Sequence, residues 1–408
     1  AEDRAKFSSL LDSLGIKQPV WKEFKEIEEI YKFVDKIGFP VLVRPSYVLS
    51  GEAMKVIWDK EELRKYLKEI ALVKDNTVVV SKYIKDGIEV EVDGVSDGNN
   101  VIIGAIIEHI EEAGIHSGDA TMVIPPIRIS KEVQNKIISY TEKIAKSLKI
   151  KGPFNIQYIV KYNEVYVIEC NLRSSRSMPF VSKFTGINLI EIAAKAILKV
   201  LENEKIIKAY KANYAVKVPQ FSFMQLDEAD IILGVEMRST GEVACFGETF
   251  EEAFIKALLA AGYNIPIKGG NVFIGAGGEE KTKIVKIADL LYKLGFTIYA
   301  SEHTAEYLIN NGIPVYKVLY KVKEPERKPN ILDYLREGKI NLVINIPSSI
   351  TLEKYAEMLR DEYIIRRKAV ELGIPVIVNS HTAYYLVQGI IWLIRNVYKM
   401  APVLLYNL

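Results

Sequence analysis

Residues 169–180 read ECNLRSSRSMPF, and in them Glu169, Asn171 and Arg173 alternate behind an apolar run, VYVI. On a strand these three share one face. A carboxylate, an amide oxygen and a guanidinium on one face suit a hard cation held against phosphate. Upstream, NIQYIV (155–160) reads as a partner strand. If Tyr162-Asn163-Glu164 is the loop between them, Gln157 sits opposite Glu169. The same alternation also fits the solvated face of a strand pair.

Three further stretches carry chemistry. Arg44 ends the apolar run VLVRPS (41–46) and precedes SYVLSGEAM, a Ser-Gly loop that could close over phosphates. A guanidinium there can meet phosphate oxygens bidentately; a structural salt bridge is the alternative. In SKYIKDGIEVEVD (81–93), groups between Ser81 and Ile84 could meet an adenine edge, and Glu89 could take ribose hydroxyls. Glu89, Glu91 and Asp93 alternate, which also describes a solvent-facing strand of carboxylates. EHIEEAGIHSGDAT (108–121) holds two of the four histidines in the chain. His116 lies where a backbone bend can aim it at a ligand, although a core or capping histidine has the same pattern.

The elements that must position these groups are legible in outline. Residues 23–38 have helical spacing closed by Gly38, and 61–72 and 131–150 are further helices. Residues 77–84, 89–95 and 100–110 read as strands of one antiparallel sheet. Residues 187–198 form another helix, and 201–270 are mixed. From Gly270 onward strands at 271–276, 296–300, 313–318, 341–346 and 375–379 alternate with helices at 282–294, 303–311, 330–337, 361–372 and 381–398. That alternation predicts a parallel sheet covered on both faces, with ligands at the carboxyl ends of its strands. Those ends carry Ser301 and Thr304, Tyr320 and Lys321, Asn345 and Ser348, and Asn379 and His381. The set suits a small phosphorylated anion, whereas each Ser, Thr or Asn singly suits a helix cap.

At 408 residues with 49% apolar and 26% charged residues, the chain has the balance of a globular protein of two to three domains. A net charge of +2 and no basic patch interleaved with aromatics argue against nucleic acid. No apolar run approaches a membrane span. Two cysteines, Cys170 and Cys245, make no disulfide framework and suit a reducing compartment, here expected to be the cytoplasm. The chain opens AEDRAKF without Met, as an internal piece of a longer protein would.

VLVRPSYVLSGEAM, EHIEEAGIHSGDAT, ECNLRSSRSMPFVSKFTG and STGEVACFGETFEEAF occur in the order in which similar segments occur in the C-terminal half of the carbamoyl phosphate synthetase large subunit. The resemblance runs nearly end to end. It implies a mixed α/β and α+β protein. An ATP-grasp domain without its usual preceding domain is expected over 1–200, then the remainder of the synthetase domain with a linker over 201–270. A Rossmann-like, methylglyoxal-synthase-like regulatory domain with a parallel sheet is expected over 271–408. The family makes carbamoyl phosphate from bicarbonate, glutamine-derived ammonia and two ATP, and the half resembled here phosphorylates carbamate.

Carried over position by position, the resemblance makes Arg44, Ser81, Ile84, Glu89, Gly114, Ile115, His116, Ser117, Gln157 and Glu169 an ATP site. Gln157, Glu169 and Asn171 would hold Mg²⁺ or Mn²⁺, and Arg44, Arg173 and Arg176 would face the transferred phosphoryl group. His109, Glu111 and Glu89 fall where the family can hold K⁺. Lys281, Ser301, Thr304, Lys321 and Asn345 fall on the positions of a nucleotide effector, UMP or, in ammonia-dependent members, N-acetylglutamate. Implied partners are the N-terminal half of the large subunit and a glutaminase small subunit, both absent from this chain. Of three carboxylates that sense ornithine in some members, Glu111 and Asp119 are present and Val218 stands at the third position. Rival readings are another ATP-grasp ligase, such as a biotin-dependent carboxylase, and a fragment that binds nucleotide without turnover. Methylglyoxal synthase chemistry is a third, but it needs a carboxylate base and Asn345-Ile346-Pro347-Ser348 offers none.

Overall fold

The computed structural model describes residues 1, 3–45, 54–70, 77–200, 212–222, 230–234, 237–320, 326–347 and 356–396. The Ser-Gly loop after Pro45, Lys321 and Ser348 lie outside these residues. The chain divides into two compact units, one of residues 1–215 with 233–238, the other of 216–232 with 239–407.

The first unit opens with α1 (Arg4–Ser13), whose Phe7, Ser8 and Leu11 are buried at helical spacing. A small sheet follows: β1 (Trp21–Phe24), β2 (Val41–Pro45), β3 (Lys55–Ile57) and β4 (Val78–Lys82), in the order β1-β4-β2-β3 and antiparallel. Two helices, α2 (Ile27–Ile37) and α3 (Lys60–Ile70), belong to this layer. Ile30 and Val34 of α2 and Leu63 and Leu67 of α3 join Val41, Val43, Val78 and Val80 in one core. The helix expected from residue 23 begins at Ile27 instead. Phe24 is spent on the sheet, with Trp21–Phe24 pairing against Ser81–Val78 and the Phe24 ring buried in that core. Tertiary pairing here overrides a helical pattern that continues smoothly through the boundary.

A larger antiparallel sheet contains β5 (Ile88–Asp97), β6 (Val101–Glu112), β7 (Met122–Ile124), β8 (Lys151–Lys161) and β9 (Glu164–Asn171), in the order β7-β6-β5-β8-β9. β4 was expected here, beside β5, but it sits inside the small sheet between β1 and β2. The short connection after Lys82 therefore crosses from one sheet to the other. Helices α4 (Lys131–Ser147), α5 (Met178–Thr185) and α6 (Leu189–Ile197) complete the unit. Val90, Val92, Phe154, Ile156 and Tyr158 pack with Phe7 and Leu11 of α1 and Val133 and Ile137 of α4. The pleat then turns Glu89, Glu91 and Asp93 to the opposite face. They are 7%, 1% and 0% exposed, so this is not a solvent-facing row of carboxylates.

In the second unit, β10 (Tyr214–Gln220), within which the division falls, runs beside β11 (Gly241–Gly247), and α7 (Phe250–Ala260) follows. Next come β12 (Gly270–Ala276), α8 (Glu280–Lys293), β13 (Phe296–Ala300), α9 (Glu302–Asn310), β14 (Lys317–Val318) and α10 (Ile331–Arg336). The unit continues with β15 (Leu342–Ile346), α11 (Ala356–Glu371), β16 (Val376–Ile377) and α12 (Ser380–Arg395). The five strands are parallel, in the order β14-β13-β12-β15-β16. Phe273, Tyr299 and Val343 of the sheet pack with Ile331, Leu335 and Ile365 of the helices. α7 packs on α12 where Gly389 lets the backbones approach; a Cβ there would come within 2.9 Å of the Cβ of Ile255. No helix among the described residues is long and apolar enough to cross a membrane.

Candidate nucleotide and phosphate site

The β8–β9 hairpin turns on two residues, Tyr162 and Asn163, both left-handed at φ 51° and 62°. Lys161 pairs with Glu164, and the ladder then slips by one residue between Tyr158 and Gln157. Tyr158 faces Val167, but Gln157 faces Glu169 and Asn155 faces Asn171. The sequence suggested a three-residue loop for the same pairing. The structure reaches it with a tighter turn and a bulge at Ile168.

Glu169 is held from two sides. Arg4 Nη2 lies 2.6 Å from its Oε2, and Asn171 Nδ2 donates to its Oε1 at 2.9 Å. Burial opposes ionisation of the Glu169 carboxyl, but the Arg4 charge, these two hydrogen bonds and the Arg44 charge outweigh it and hold its pKa below the ordinary value. Arg44, near the end of β2, is the other cation here. Burial pushes its guanidinium down to about 9, the nearby Arg4 charge adds to this and Glu169 opposes it. Its Nε is buried with no hydrogen-bond partner among the described residues. Arg44, with a donor left unpaired, forms an electropositive pocket end prepared for an anion, and Arg4 holds the carboxylate beside it.

That end closes a cleft of about 1060 Å³, part of it open solvent, between the small and large sheets of the first unit. The small-sheet side contributes Arg44, Ser81 and Ile84, and the large-sheet side contributes Glu89, Gln157 and Glu169. The loop Gly114–Ser117 closes one flank. Leu42, Val56, Ile84, Ile159 and Val167 give the cleft an apolar part suited to a planar base. All ten residues assigned to the ATP site from the sequence thus line one cavity.

The flanking loop is built on Gly114, at φ 110°, where a Cβ would fall 2.4 Å from Tyr83 Oη. Tyr83 in turn donates to the carbonyl of Ala113 at 2.7 Å. Gly114 N–H points to Glu89 Oε2 at 3.4 Å. Burial raises the Glu89 pKa, and the His109 ring and the Gly114 N–H partly offset that. His116 accepts from Gly118 N–H through Nδ1 at 3.0 Å, and its backbone N–H donates to the carbonyl of Gly234 at 2.7 Å. Burial lowers the His116 pKa, Asp119 and Glu169 oppose this, and the Arg176 and Arg173 charges add to it. Those two arginines sit on the exposed loop between β9 and α5. Neither they nor Asn171 is among the residues lining the cleft, although their field reaches His116. For the expected K⁺ position, His109 Nδ1 lies 3.9 Å from Glu89 Oε1, while Glu111 accepts the Thr121 N–H at 2.7 Å.

Sequence reasoning missed Arg4. Its signal is the spacing of α1: Arg4, Phe7, Ser8 and Leu11 fall on one stripe, so the first-turn arginine shares the face that packs inward. A second unforeseen feature is the group around Asp93. Its Oδ1 lies 2.9 Å from Asn155 Nδ2 and 2.6 Å from Ser175 Oγ, and its Oδ2 lies 2.7 Å from Ser177 Oγ. Ser177 Oγ is also 2.6 Å from Glu91 Oε1. Burial, then the Glu91 charge, push the Asp93 carboxyl up to about 7 against these hydrogen bonds. A raised carboxyl pKa contributes stability below its unfolded value, 3.8, and loses it as pH rises through about 7. The melting temperature of Asp93→Asn should therefore fall less than that of the parent between pH 5 and pH 8. Parallel melting curves across that range would show that Asp93 titrates as an ordinary carboxylate.

In the second unit, Lys281, Ser301 with Thr304, and Asn345 follow or end the adjacent strands β12, β13 and β15, at their carboxyl ends. Ser301 Oγ bonds Thr304 Oγ1 at 3.0 Å, and Thr304 Oγ1 accepts the Ala276 N–H at 3.1 Å. Asn345 Oδ1 accepts from Nη1 of the buried Arg366 at 2.7 Å, and Arg366 grips Asp230 through Nε and Nη2 at 2.9 and 2.5 Å. Asn379 caps α12 by accepting the N–H groups of His381 and Thr382.

Comparison with known proteins finds relatives over nearly the whole chain. Residues 3–202 match the family model of the carbamoyl-phosphate synthase L chain, ATP binding domain, and residues 283–378 match that of the MGS-like domain. The chain is 43% identical over 396 residues to multifunctional protein URA2 of Saccharomyces cerevisiae, covering 96% of this chain and 18% of that protein. It is 42% identical over 388 residues to the human mitochondrial carbamoyl-phosphate synthase [ammonia], covering 93% and 25%. The chain thus spans a quarter or less of these relatives. Among solved structures it is similar to a biotin carboxylase–ATP complex from Campylobacter jejuni, with a TM-score of 0.53, 17% identity and coverage of 63% of this chain and 66% of that one. The biotin carboxylase domain of Hydrogenobacter thermophilus 2-oxoglutarate carboxylase gives a TM-score of 0.53 at 16% identity, covering 63% and 65%. At such identities the likeness speaks to fold alone.

Proposed function

The chain belongs to the carbamoyl-phosphate synthase family, with that family's ATP-binding domain over residues 3–202 and an MGS-like domain over 283–378, and from this we propose that it phosphorylates carbamate with ATP to give carbamoyl phosphate. The observation that carries the reading is the single cleft that gathers Arg44, Glu89, Gln157, Glu169 and the Gly114–Ser117 loop.

ATP lies with its base in the apolar part of the cleft, its ribose hydroxyls toward Glu89 and its phosphates toward Arg44. A carbamate oxygen attacks the γ-phosphorus in line; the new O–P bond forms as the bond to the ADP oxygen breaks, and ADP leaves. The chain's part in this is positioning and charge. Arg44, whose Nε has no partner among the described residues, offsets charge on the phosphates, Arg4 holds Glu169 in place, and Arg173 and Arg176 approach from the β9–α5 loop. Gln157, Glu169 and Asn171 supply the hard oxygen donors that suit Mg²⁺ or Mn²⁺, a cation that neutralises phosphate charge when bound. Glu89, His109 and Glu111 are the candidates for K⁺. In the complete protein an N-terminal half and a glutaminase partner would supply carbamate. The cytoplasm suits the free, buried Cys170, whose thiol burial pushes up to about 12. ATP formation from ADP and carbamoyl phosphate by this chain tests the reading, and its absence in the presence of Mg²⁺ would overturn it.

The second unit is the regulatory part of the proposal, and its effector is a uridine nucleotide, UMP, with N-acetylglutamate as the competing ligand. Lys281 near the start of α8, the hydroxyl of Ser301 and the amide of Asn345 favour a phosphate monoester at helix N-termini. Calorimetry on the full chain should show UMP binding that Asn345→Ala weakens about tenfold, the worth of one good hydrogen bond. Binding of N-acetylglutamate and not UMP would reverse the choice.

A further inference from the structure

We infer that Asp93 is a positioning residue for the transfer, holding the Arg173–Arg176 loop through the hydroxyls of Ser175 and Ser177. The inference rests on the phosphorylation reading for its kinetic consequence, but its geometry stands independently of that reading.

The loop alternates in direction. Leu172, Arg173, Ser174 and Arg176 are exposed, whereas Ser177 is 2% exposed and Ser175 is half-buried. Both inward hydroxyls go to one carboxyl group on a different strand, more than eighty positions earlier in the chain. Ser177 stands at the N-cap of α5, yet its side chain makes no capping bond. Ser175 takes that duty instead, accepting the Met178 N–H at 3.1 Å. A serine that gives up the ordinary local use of its hydroxyl for a long-range carboxyl is tying two elements together.

The hydrogen count constrains the form of the tie, in which Ser177 Oγ also lies 3.0 Å from Ser175 Oγ. Ser177 has one hydroxyl proton but two carboxyl neighbours, Glu91 Oε1 and Asp93 Oδ2. If Ser177 donates to Glu91, Asp93 must itself be the donor to Ser177 Oγ. The hydrogen-bond partners of Asp93 are Asn155, Ser175 and Ser177, all neutral, which fits a neutral carboxylic acid there. Burial raises the Asp93 pKa, and Glu91, the acidic group facing it, raises it further. The loop is thus anchored by a chain of short bonds, Asp93 to Ser177 to Glu91, with Ser175 at the other oxygen.

Such an anchor matters because Arg173 and Arg176 are long, exposed side chains. Their guanidiniums stabilise a transferring phosphoryl group only if the backbone beneath them is already fixed, since reorganisation during reaction subtracts from the gain. Asp93 is outside the cleft lining, so it acts on the reaction through the groups it holds, the loop serines first among them.

The test compares Asp93→Ala, Asp93→Asn and Ser177→Ala in the full chain by amide hydrogen exchange over 172–178 and by ATP formation from ADP and carbamoyl phosphate. Exchange in Asp93→Ala should rise about tenfold or more, kcat should fall roughly 10- to 100-fold, and KM for ADP should stay within about twofold. Asp93→Asn, which keeps a neutral donor and acceptor, should restore both readouts to within severalfold of the parent. Unchanged exchange in Asp93→Ala, or an Asn variant as impaired as the Ala variant, would overturn the inference. Should Asp93→Ala not fold, Ser177→Ala decides by the same two readouts. A parent chain that makes no ATP would sink the phosphorylation reading, while the exchange data would still settle the role of Asp93.

Discussion

Glu169→Gln is expected to reduce ATP formation from ADP and carbamoyl phosphate by about 10²-fold or more, the scale of removing a charged ligand that acts on the transition state. The geometry makes this more than the loss of one ligand. Glu169 is the carboxylate on which Arg4 closes at 2.6 Å, and it is the charge that eases the burial of Arg44. A neutral amide leaves both guanidiniums facing each other, so the pocket becomes more positive and less ordered. Gln retains an oxygen for the Arg4 bond, so the fold should survive with a loss of roughly 1–3 kcal/mol near neutral pH. The pKa of Glu169 is lowered in the fold, so its contribution is present above its unfolded value of 4.5 and fades as pH falls. Parent and variant stabilities should therefore converge in acid. Near-normal turnover by Glu169→Gln would remove the residue from the phosphate site.

Arg44→Met should show the opposite balance between function and stability. Nucleotide affinity, measured by calorimetry, should fall about 10- to 100-fold, the worth of one charged hydrogen bond. Melting temperature in the absence of nucleotide should hold or rise. Burial depresses the Arg44 guanidinium from 12.5 to about 9, which means the fold carries the charged form at a disadvantage throughout the neutral range. The sign is that of a lowered base: the disadvantage is fully present below pH 9 and is relieved between 9 and 12.5. Met fills the same space among Leu42, Met54 and Val56 without it. A large drop in melting temperature with unchanged affinity would make Arg44 a structural cation.

Much of the site was legible because its residues carry period-2 alternation within single strands. Glu169 and Asn171 share a face by spacing alone, and Arg44 stands where an apolar run meets a Pro. What was not legible depends on contacts between distant segments. Arg4 reaches Glu169 across 165 positions, and only the packing of α1 brings them together. β1 reads as helix until β4 offers it a ladder, and β4 reads as a neighbour of β5 until the small sheet claims it. Asp93 looked like one more polar position on an alternating strand. Its meaning comes from Ser175 and Ser177, whose short side chains give no sign in sequence of which way they turn. In the parallel sheet the strand cores were placed to within a residue or so, apart from 313–318 and 375–379, which shrink to Lys317–Val318 and Val376–Ile377 at the sheet edges.

The bulge at Ile168 separates two counting systems in one hairpin. From the turn to Tyr158, partner numbers sum to one constant; from Gln157 onward they sum to a constant one greater. The tip can therefore be rebuilt with any two-residue turn without disturbing the end that carries Gln157, Glu169 and Asn171. A regular ladder that paired Ile168 with Gln157 would put Glu169 opposite Ile156, which turns Glu169 and Asn171 to the other side of the sheet and brings Cys170 round to face the cleft; the bulge is what lets Val167 and Glu169, two apart in sequence, face opposite sides. The bulge thus sets the phase of the site, and hairpins grafted from other proteins would have to match its phase as well as its length.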